Sequence, residues 1–398
     1  MSTNVKYLKR GAKELERLSL CSGLVDRRLN VACYDNCLMV PGPSGDKAAL
    51  YDCNGDLVVG SPLNRGCQVS TRLRSLMPKR IIEAPVFYLG VLYSCWGHCI
   101  TDEIKFLWPF QRLTQYPKLC NCQFVYTVVD CLGRAIPENY YLLLEELGIA
   151  RERLMEIKEP TLLRECYFAD ECMWYDPGEA KRYFAQEYCD LIELVCARNS
   201  TPLDRQPTKV YFSRSSWNRW EYGELSIDKA FADAGFEIVK PEDLRFHEMV
   251  RMLQNVDVMA SSEGSCAHNA LFMKKGAKTI YLRKFDYTNR YQLAIDEIKC
   301  LQAYYVDPYI PFLYYDNRCK TCGPFFFYPN KRLKELLGVS ASFPFKAFFR
   351  FVCWSVVLHY GHIVGEKIRM ARAVARKIMH RRTVRAIVST SNKHCNDV

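Results

Sequence analysis

Long apolar runs are scarce in this chain of 398 residues, and an apolar leader is missing: Met1 to Arg17 is polar and basic. The longest aromatic and apolar stretch, Phe343 to Leu358, is broken by Arg350 and followed by His359 and His362. It is too short to span a bilayer. Neither a secretory signal nor a transmembrane helix is expected, so free thiols in a reducing cytoplasm are the default for the 20 cysteines. Cys319-Lys-Thr-Cys322 has no second pair at zinc-ligand spacing; Cys120 and Cys122 would complete a site only through the fold. No metal is expected. A P-loop and a Gly-x-Gly-x-x-Gly turn after a first strand are both absent, which leaves a P-loop nucleotidase and a dinucleotide fold unsupported. Repeats and low-complexity runs are missing too. Histidine is rare: of 7, His359, His362, His380 and His394 lie in the last forty residues, leaving His98, His247 and His268 for the body.

What is present has the composition of a globular protein, with 49% hydrophobic and 25% charged residues and length for two cores plus a tail. From Lys209 to Leu282 the pattern alternates. Val210–Ser213, Phe236–Val239, Val256–Ala260 and Thr279–Leu282 read as strands. Leu225–Ala234, Arg245–Gln254 and the stretch through Met273 read as helices. This predicts a parallel sheet with right-handed crossovers, whose ligands bind at the carboxyl ends of the strands. The loop Ser261-Ser-Glu-Gly-Ser-Cys-Ala-His-Asn269 falls at that end. Gly264 and Ser265 allow close backbone approach, and a helix start offers N–H groups to an anion. An ordinary strand-to-helix turn would look similar. Glu263, His268 and Asn269, however, place three polar groups where burial without partners is costly. A nucleotide-linked ligand is the reading these residues favour.

A second candidate site is Ser94-Cys-Trp-Gly-His-Cys-Ile-Thr-Asp-Glu-Ile-Lys-Phe-Leu-Trp108, behind the β-rich run Val86–Tyr93. Ile100, Ile104, Leu107 and Trp108 have helical spacing, and His98 and Asp102, four apart, share a helix face. A carboxylate and an imidazole so placed can deprotonate a hydroxyl. The alternative reading is that Asp102 only favours the helix N-terminus, as acidic residues there commonly do. Phe124–Val129 reads as a strand, Tyr140–Leu147 as a helix and Pro177–Arg198 as a longer helix.

Both blocks resemble glycosyltransferase family 61. The first matches through Gly97-His98, Asp102 and Leu107-Trp108. The second matches through Ser213-Arg214, Gly235-Phe-Glu-Ile-Val-Lys-Pro-Glu-Asp243 and Asn269-Ala-Leu-Phe-Met273. Many members carry His-Gly-Ala-Gly where this chain has Glu263-Gly264-Ser265-Cys266, with His268 following. The resemblance, over roughly residues 80 to 285, implies an α/β GT-B-like fold of two Rossmann-like domains facing across a cleft. It implies an inverting transfer from a nucleotide-sugar donor to a glycan acceptor, as in bacterial capsular polysaccharide enzymes. Asp102, with His98, would carry the base. Arg214, Glu263, Gly264, Ser265, His268 and Asn269 would bind the donor. A guanidinium fork at Arg214 suits a diphosphate. No Asp-x-Asp occurs, so the metal-bridging carboxylates of the other large glycosyltransferase fold are missing, and no cofactor is expected.

The domains expected are 1–198 on the acceptor side, a linker at 199–207, a donor-binding domain at 208–342, and a basic C-terminal helical tail at 343–398. Lys346 to Val398 holds 11 Lys+Arg against 2 Asp+Glu, a net +9 of the chain's +11. Phe348, Phe349, Arg350, Phe351 and Trp354, followed by a helix with Arg369, Arg372 and Arg376 on one side, suit an anionic membrane surface. Packing on the protein's own second domain ranks next, and nucleic acid last. The expected setting is cytoplasmic, peripheral on the inner membrane face, with a lipid-linked acceptor. A catalytically inactive, membrane-docked scaffold is the alternative.

Overall fold

The computed structural model describes residues 6–7, 22–42, 48–62, 69–73, 77–129, 135–179, 181–201, 207–215, 221–284, 289–310, 325–357, 360–361 and 365. The fold is mixed α/β, built on two main sheets. The second holds six parallel strands in the spatial order Lys6–Tyr7, Gln302–Val306, Lys278–Leu282, Val258–Ser262, Lys209–Phe212 and Glu237–Val239. Its central strands read as near-continuous apolar runs because helices cover both faces; Val210, Tyr211, Phe212, Met259, Ala260, Tyr281 and Leu282 are all buried. Lys6–Tyr7 pairs in parallel with Tyr304–Tyr305. Lys6–Tyr7 therefore forms an edge strand of the second sheet, although it lies within the 1–198 segment expected as the first domain.

The first main sheet is mixed. Thr161–Ala169, Val86–Tyr93, Gln123–Val129 and Leu154–Glu156 run parallel, and Val31–Val40 and Ala49–Tyr51 close one side antiparallel. The helix expected over 177–198 begins only at Gln186. Before it, the Asp176 carboxylate accepts from the backbone N–H groups of Gly178 (2.8 Å) and Glu179 (3.1 Å). That turn folds Met173–Asp176 onto Lys181–Phe184 as a hairpin, and Pro177-Gly178 was its signal. Most of the linker expected at 199–207 lies outside the described residues.

Helices from the two halves stack between the sheets. Glu138–Glu146 and Gln186–Arg198 pack on Phe246–Asn255, and Trp96–His98 packs on Ser265–His268. Phe246–Asn255 buries Phe246, Met249, Val250 and Leu253 at helical spacing, and Glu248 accepts from the Arg245 N–H at its start. One apolar core runs from Phe87 and Phe124 through Phe246 and Phe272 to Tyr305. The halves are thus joined by shared burial.

The tail begins with a helix at 345–357. Phe351 is fully buried, edge-on to Tyr222 (5.9 Å) and against Phe326 (5.7 Å), while Phe348 meets Phe326 at 5.2 Å. These two residues, expected at a membrane, pack on the protein instead, because a spacing of three puts them on the helix face turned to the Phe325–Phe327 strand. Phe349 and Trp354 remain exposed, at 70% and 44%, as does Arg350. Phe345, Val356, Val357 and Tyr360 add to the outward apolar face. Arg369, Arg372 and Arg376 lie outside the described residues. Among the described residues, no helix is long and apolar enough to cross a membrane.

Candidate functional site

The first motif folds as one α-turn, Trp96–His98, then a widened π-turn, Cys99–Glu103, then a 3₁₀ turn, Ile104–Phe106. Wide turns of this kind recur at functional sites. Here the segment brings His98 Nδ1 within 2.7 Å of Asp102 Oδ2. The Asp102 side chain is 9% exposed and that of His98 35%. The other Asp102 oxygen accepts a short hydrogen bond from the Tyr291 hydroxyl, and Thr101 Oγ1 lies 3.4 Å from Oδ2. The Tyr93 ring stacks on the imidazole, with centroids 4.5 Å apart. Burial, reinforced by the adjacent Asp102 charge, pushes Glu103 well above the usual carboxylate range. Asp102, the expected base, therefore sits behind His98, with both oxygens engaged. The imidazole is the group that meets solvent.

In the second sheet the strand order reverses beside Lys209–Phe212: Glu237–Val239 lies on one flank and Val258–Ser262 on the other. The crevice at such a switch point is where open α/β sheets bind ligands. Two candidate segments flank it, Ser213–Arg214 and Glu263–Gly264. Gly264 has φ 125° and ψ −155°, a region open essentially only to glycine, and a Cβ there would meet nothing within 4 Å. The loop thus passes open space in a conformation other residues resist. Glu263 is buried; Oε1 accepts from the Asn289 N–H (3.0 Å), while Oε2 has no hydrogen-bond partner among the described residues. Burial raises its pKa to about 7, against the pull of the Asn289 N–H, Arg283 and Lys284.

Cations converge on the same crevice. Glu221 lies between Arg214 (Nε 3.4 Å) and Lys284 (Nζ 2.7 Å). Burial works most strongly against the Arg214 charge, but Glu221 together with Cys266, Glu224 and Tyr211 outweighs it and holds the guanidinium above its usual value. Burial and then Glu221 push Glu224 up; its Oε2 accepts from the Tyr211 hydroxyl at 3.0 Å. Arg283 is matched by Asp307 at 3.3 Å. Among the described residues, Arg214 and Lys284 thus share the Glu221 carboxylate beside the switch point, a pair of cations suited to an anionic ligand.

The structure brings the two motifs into contact. A Cβ on Gly97 would lie 2.6 Å from Ser265 Oγ and 3.2 Å from Ser265 Cα, so this approach needs glycine. Cys95 Sγ is 3.3 Å from Ser265 Oγ, and Trp96 Nε1 donates to Asn269 Oδ1 at 2.7 Å. This changes the part played by three expected donor ligands. Asn269 is buried and bonded to Trp96, tying the halves together. His268 is buried, with Nδ1 2.9 Å from Gln292 Oε1 and Nε2 3.5 Å from Asn289 Nδ2, so it holds the fold from within. Ser265 opens an α-helix of only four residues, Ser265–His268, too short to carry much macrodipole. Arg214, Glu263 and Gly264 lie just past the carboxyl ends of Lys209–Phe212 and Val258–Ser262, beside the switch point.

Several residues were missed in the sequence. Lys284 lies just past the carboxyl end of Lys278–Leu282, and the strand-end rule that singled out Glu263 also covers it. Trp96 is next to the Gly-His pair. Asn289, Tyr291 and Gln292 carry no local signal; only the fold places them here.

Residues 96–280 match the family model described as Glycosyltransferase 61. Among curated proteins none matches this chain. Two solved structures are similar at a low level. The dodecameric iron-containing heptosyltransferase TibC in complex with ADP-D-beta-D-heptose shares 8% identity, with 65% of this chain and 75% of that chain covered and a TM-score of 0.27. The bacterial iron-containing dodecameric glycosyltransferase TibC from enterotoxigenic E. coli H10407 shares 9% identity, with 61% and 72% covered and a TM-score of 0.26. The family match spans both motifs and the contact between them: residues 96–280 are similar to glycosyltransferase family 61, which supports glycosyl transfer as the class of reaction.

Proposed function

We propose that the chain transfers a sugar from a nucleotide-sugar donor to a hydroxyl of a surface glycan, with inversion and without a metal. The observation that carries this reading is the contact of Gly97 with Ser265, which sets the half-exposed His98 beside the switch-point crevice. With Nδ1–H donating to Asp102, His98 Nε2 holds a lone pair toward solvent. His98 then takes the proton of the acceptor hydroxyl as that oxygen attacks the anomeric carbon from the face opposite the leaving group. The bond to the nucleoside diphosphate breaks, and its electron pair leaves with the diphosphate. Asp102 steadies the imidazolium. Arg214 and Lys284 meet the charge that develops on the leaving group, the part a bound metal plays elsewhere. Glu263, with Oε2 unpartnered, is positioned to accept from a donor hydroxyl.

A screen of nucleotide sugars for donor hydrolysis identifies the donor. With that donor, Arg214→Ala is expected to weaken nucleoside diphosphate binding by roughly 1.5–3 kcal/mol and to leave the bare nucleoside nearly unaffected. Calorimetry showing equal losses for both would remove Arg214 from the phosphate site. Activity that falls to zero in EDTA and returns with manganese would overturn the metal-free part.

The tail supports a second element of the proposal, docking on the inner, anionic face of a membrane that holds a lipid-linked acceptor. Its helix is anchored by Phe348 and Phe351 and turns Phe345, Phe349, Trp354 and Val356 outward beside Lys346 and Arg350. Basic residues at such a surface contribute about 1 kcal/mol each, screened by salt. Phe349→Ser is expected to reduce sedimentation with anionic vesicles and to leave the fold intact. Equal binding to neutral and anionic vesicles would overturn the electrostatic part.

A further inference from the structure

The start of the helix Arg290–Ile298 touches both motifs. Asn289 caps it, its Oδ1 accepting from the Tyr291 N–H at 3.0 Å. The backbone N–H of the same Asn289 donates to Glu263 Oε1, and its side chain lies 3.5 Å from His268 Nε2. Gln292 Oε1 bonds His268 Nδ1. Tyr291, between them, sends its hydroxyl across to Asp102 Oδ1, 189 residues away. Its ring is clamped by the Arg182 guanidinium, 3.4 Å from the ring centroid. Few side chains are better fixed than one capped at its own N–H, covered by a cation and bonded at its tip.

The groups around the His98–Asp102 pair come from several elements. Tyr93 stacks on His98; Thr101 and the buried Glu103 flank Asp102 on its own segment. Tyr188, from the helix Gln186–Arg198, donates to the Ile100 carbonyl beneath them. Arg182 and Tyr291 close the far side. Of these, Tyr291 joins Asp102 to a helix that also holds the loop of the switch-point crevice.

We propose that Tyr291 is a positioning residue for the base, and that the Asn289–Tyr291–Gln292 helix start makes the His98–Asp102 pair sensitive to donor occupancy. This rests on the assignment of His98 as base and of the Glu263 loop as donor site. Donor that engages the unpartnered Glu263 Oε2 acts on the carboxylate whose other oxygen holds Asn289. A shift there moves the helix start and, with it, the Tyr291 hydroxyl on Asp102. When that hydroxyl donates less, the carboxylate reserves more of its charge for the imidazolium. The imidazole then keeps its proton to higher pH.

The test is a set of pH profiles on the full chain with an active donor and acceptor. Tyr291→Phe, which keeps the ring under Arg182, is expected to lower kcat ~10-fold and to move the acid limb of kcat/KM up by roughly one pH unit. Donor affinity, read by calorimetry, stays within about twofold. In a His98→Gln background, Tyr291→Phe is expected to have no further effect on rate. Asn289→Ala tests the coupling without touching the base. In the native protein the acid limbs of kcat and kcat/KM, which report the complex and the free enzyme, are expected to differ; in Asn289→Ala they coincide. An unchanged acid limb in Tyr291→Phe, or a loss of donor affinity that accounts for all of its rate loss, overturns the positioning role. Limbs that already coincide in the native protein overturn the coupling. If His98→Gln turns over at the native rate, the base assignment itself fails, which the Tyr291→Phe profile alone would not show.

Discussion

His98 and His268 occupy matching places in the two halves. Each follows a strand with parallel neighbours by a few residues, sits near a glycine and lies in the first turn of a helix. His98 has a single hydrogen-bonding partner among the described residues, the Asp102 carboxylate, and its side chain is 35% exposed. His268 is buried, with Gln292 and Asn289 at its two ring nitrogens. One ring nitrogen directed at solvent, with a carboxylate behind the other, makes a base. Two nitrogens committed to neutral amides make a structural bridge. The difference lies in what the rest of the chain brings to each ring, and not in the local sequence.

The largest test of this contrast is direct. His98→Gln is expected to lower turnover by ~10²–10⁴, with the fold and donor binding retained. His268→Gln should act mainly on stability, since its neighbours are amides and it meets no reacting atom. Turnover at saturating donor, set beside thermal unfolding, separates the two. If both variants lose turnover alike, the two histidines do not divide the work as described.

Next in size is the contact that brings the halves together. Gly97→Ala places a methyl 2.6 Å from Ser265 Oγ and 3.2 Å from its Cα. Overpacking there is expected to cost roughly 1–3 kcal/mol and to lower kcat more than donor affinity, because the base moves away from the donor loop. Gly97→Ala in combination with Ser265→Gly should recover part of both. Full activity of Gly97→Ala alone would mean that the two motifs work at a distance.

An effect on stability alone, of comparable size, is a pH slope expected from Glu263 in the second half. Glu263 titrates near 7 in the fold and at 4.5 as its ordinary value. Between those values the folded chain holds a proton that the unfolded chain has lost. Stability therefore falls as pH rises from about 4.5 to 7, by up to about 3 kcal/mol, and the penalty is absent below 4.5. Glu263→Gln keeps the acceptor for the Asn289 N–H and removes the titration. Its melting temperature is expected to gain on the native protein at pH 8 and not at pH 4. Parallel curves for the two proteins at all pH values would show that the fold leaves Glu263 at its ordinary value.

Much of the fold was readable because it rests on short-range patterns. Val86–Tyr93 matches the expected strand end to end, and the elements from Lys209 to Leu282 agree within two residues, because strands buried on both faces and amphipathic helices have distinct periods. Gly235, at φ 79°, ends its helix as expected. The reading failed where local signals competed. Pro177-Gly178 was passed over inside an apparent helix, and Asp176 closed a hairpin there. Phe348 and Phe351 read as membrane anchors because an aromatic, basic segment looks the same whichever of its faces is covered.

By itself the sequence determined the alternation of strands and helices, the two motifs with their histidines, the Gly264 turn, the family resemblance and the basic tail. Each of these is written in residue type and spacing along a few turns of chain. Tertiary structure alone decided which histidine meets solvent, that Asn269 binds Trp96, that Lys284 joins Arg214 around Glu221, and that Tyr291 reaches Asp102. Those outcomes depend on groups far apart in the chain meeting at hydrogen-bonding distance. The free energy that selects them comes from burying the apolar core shared by both halves, to which no single segment holds the key.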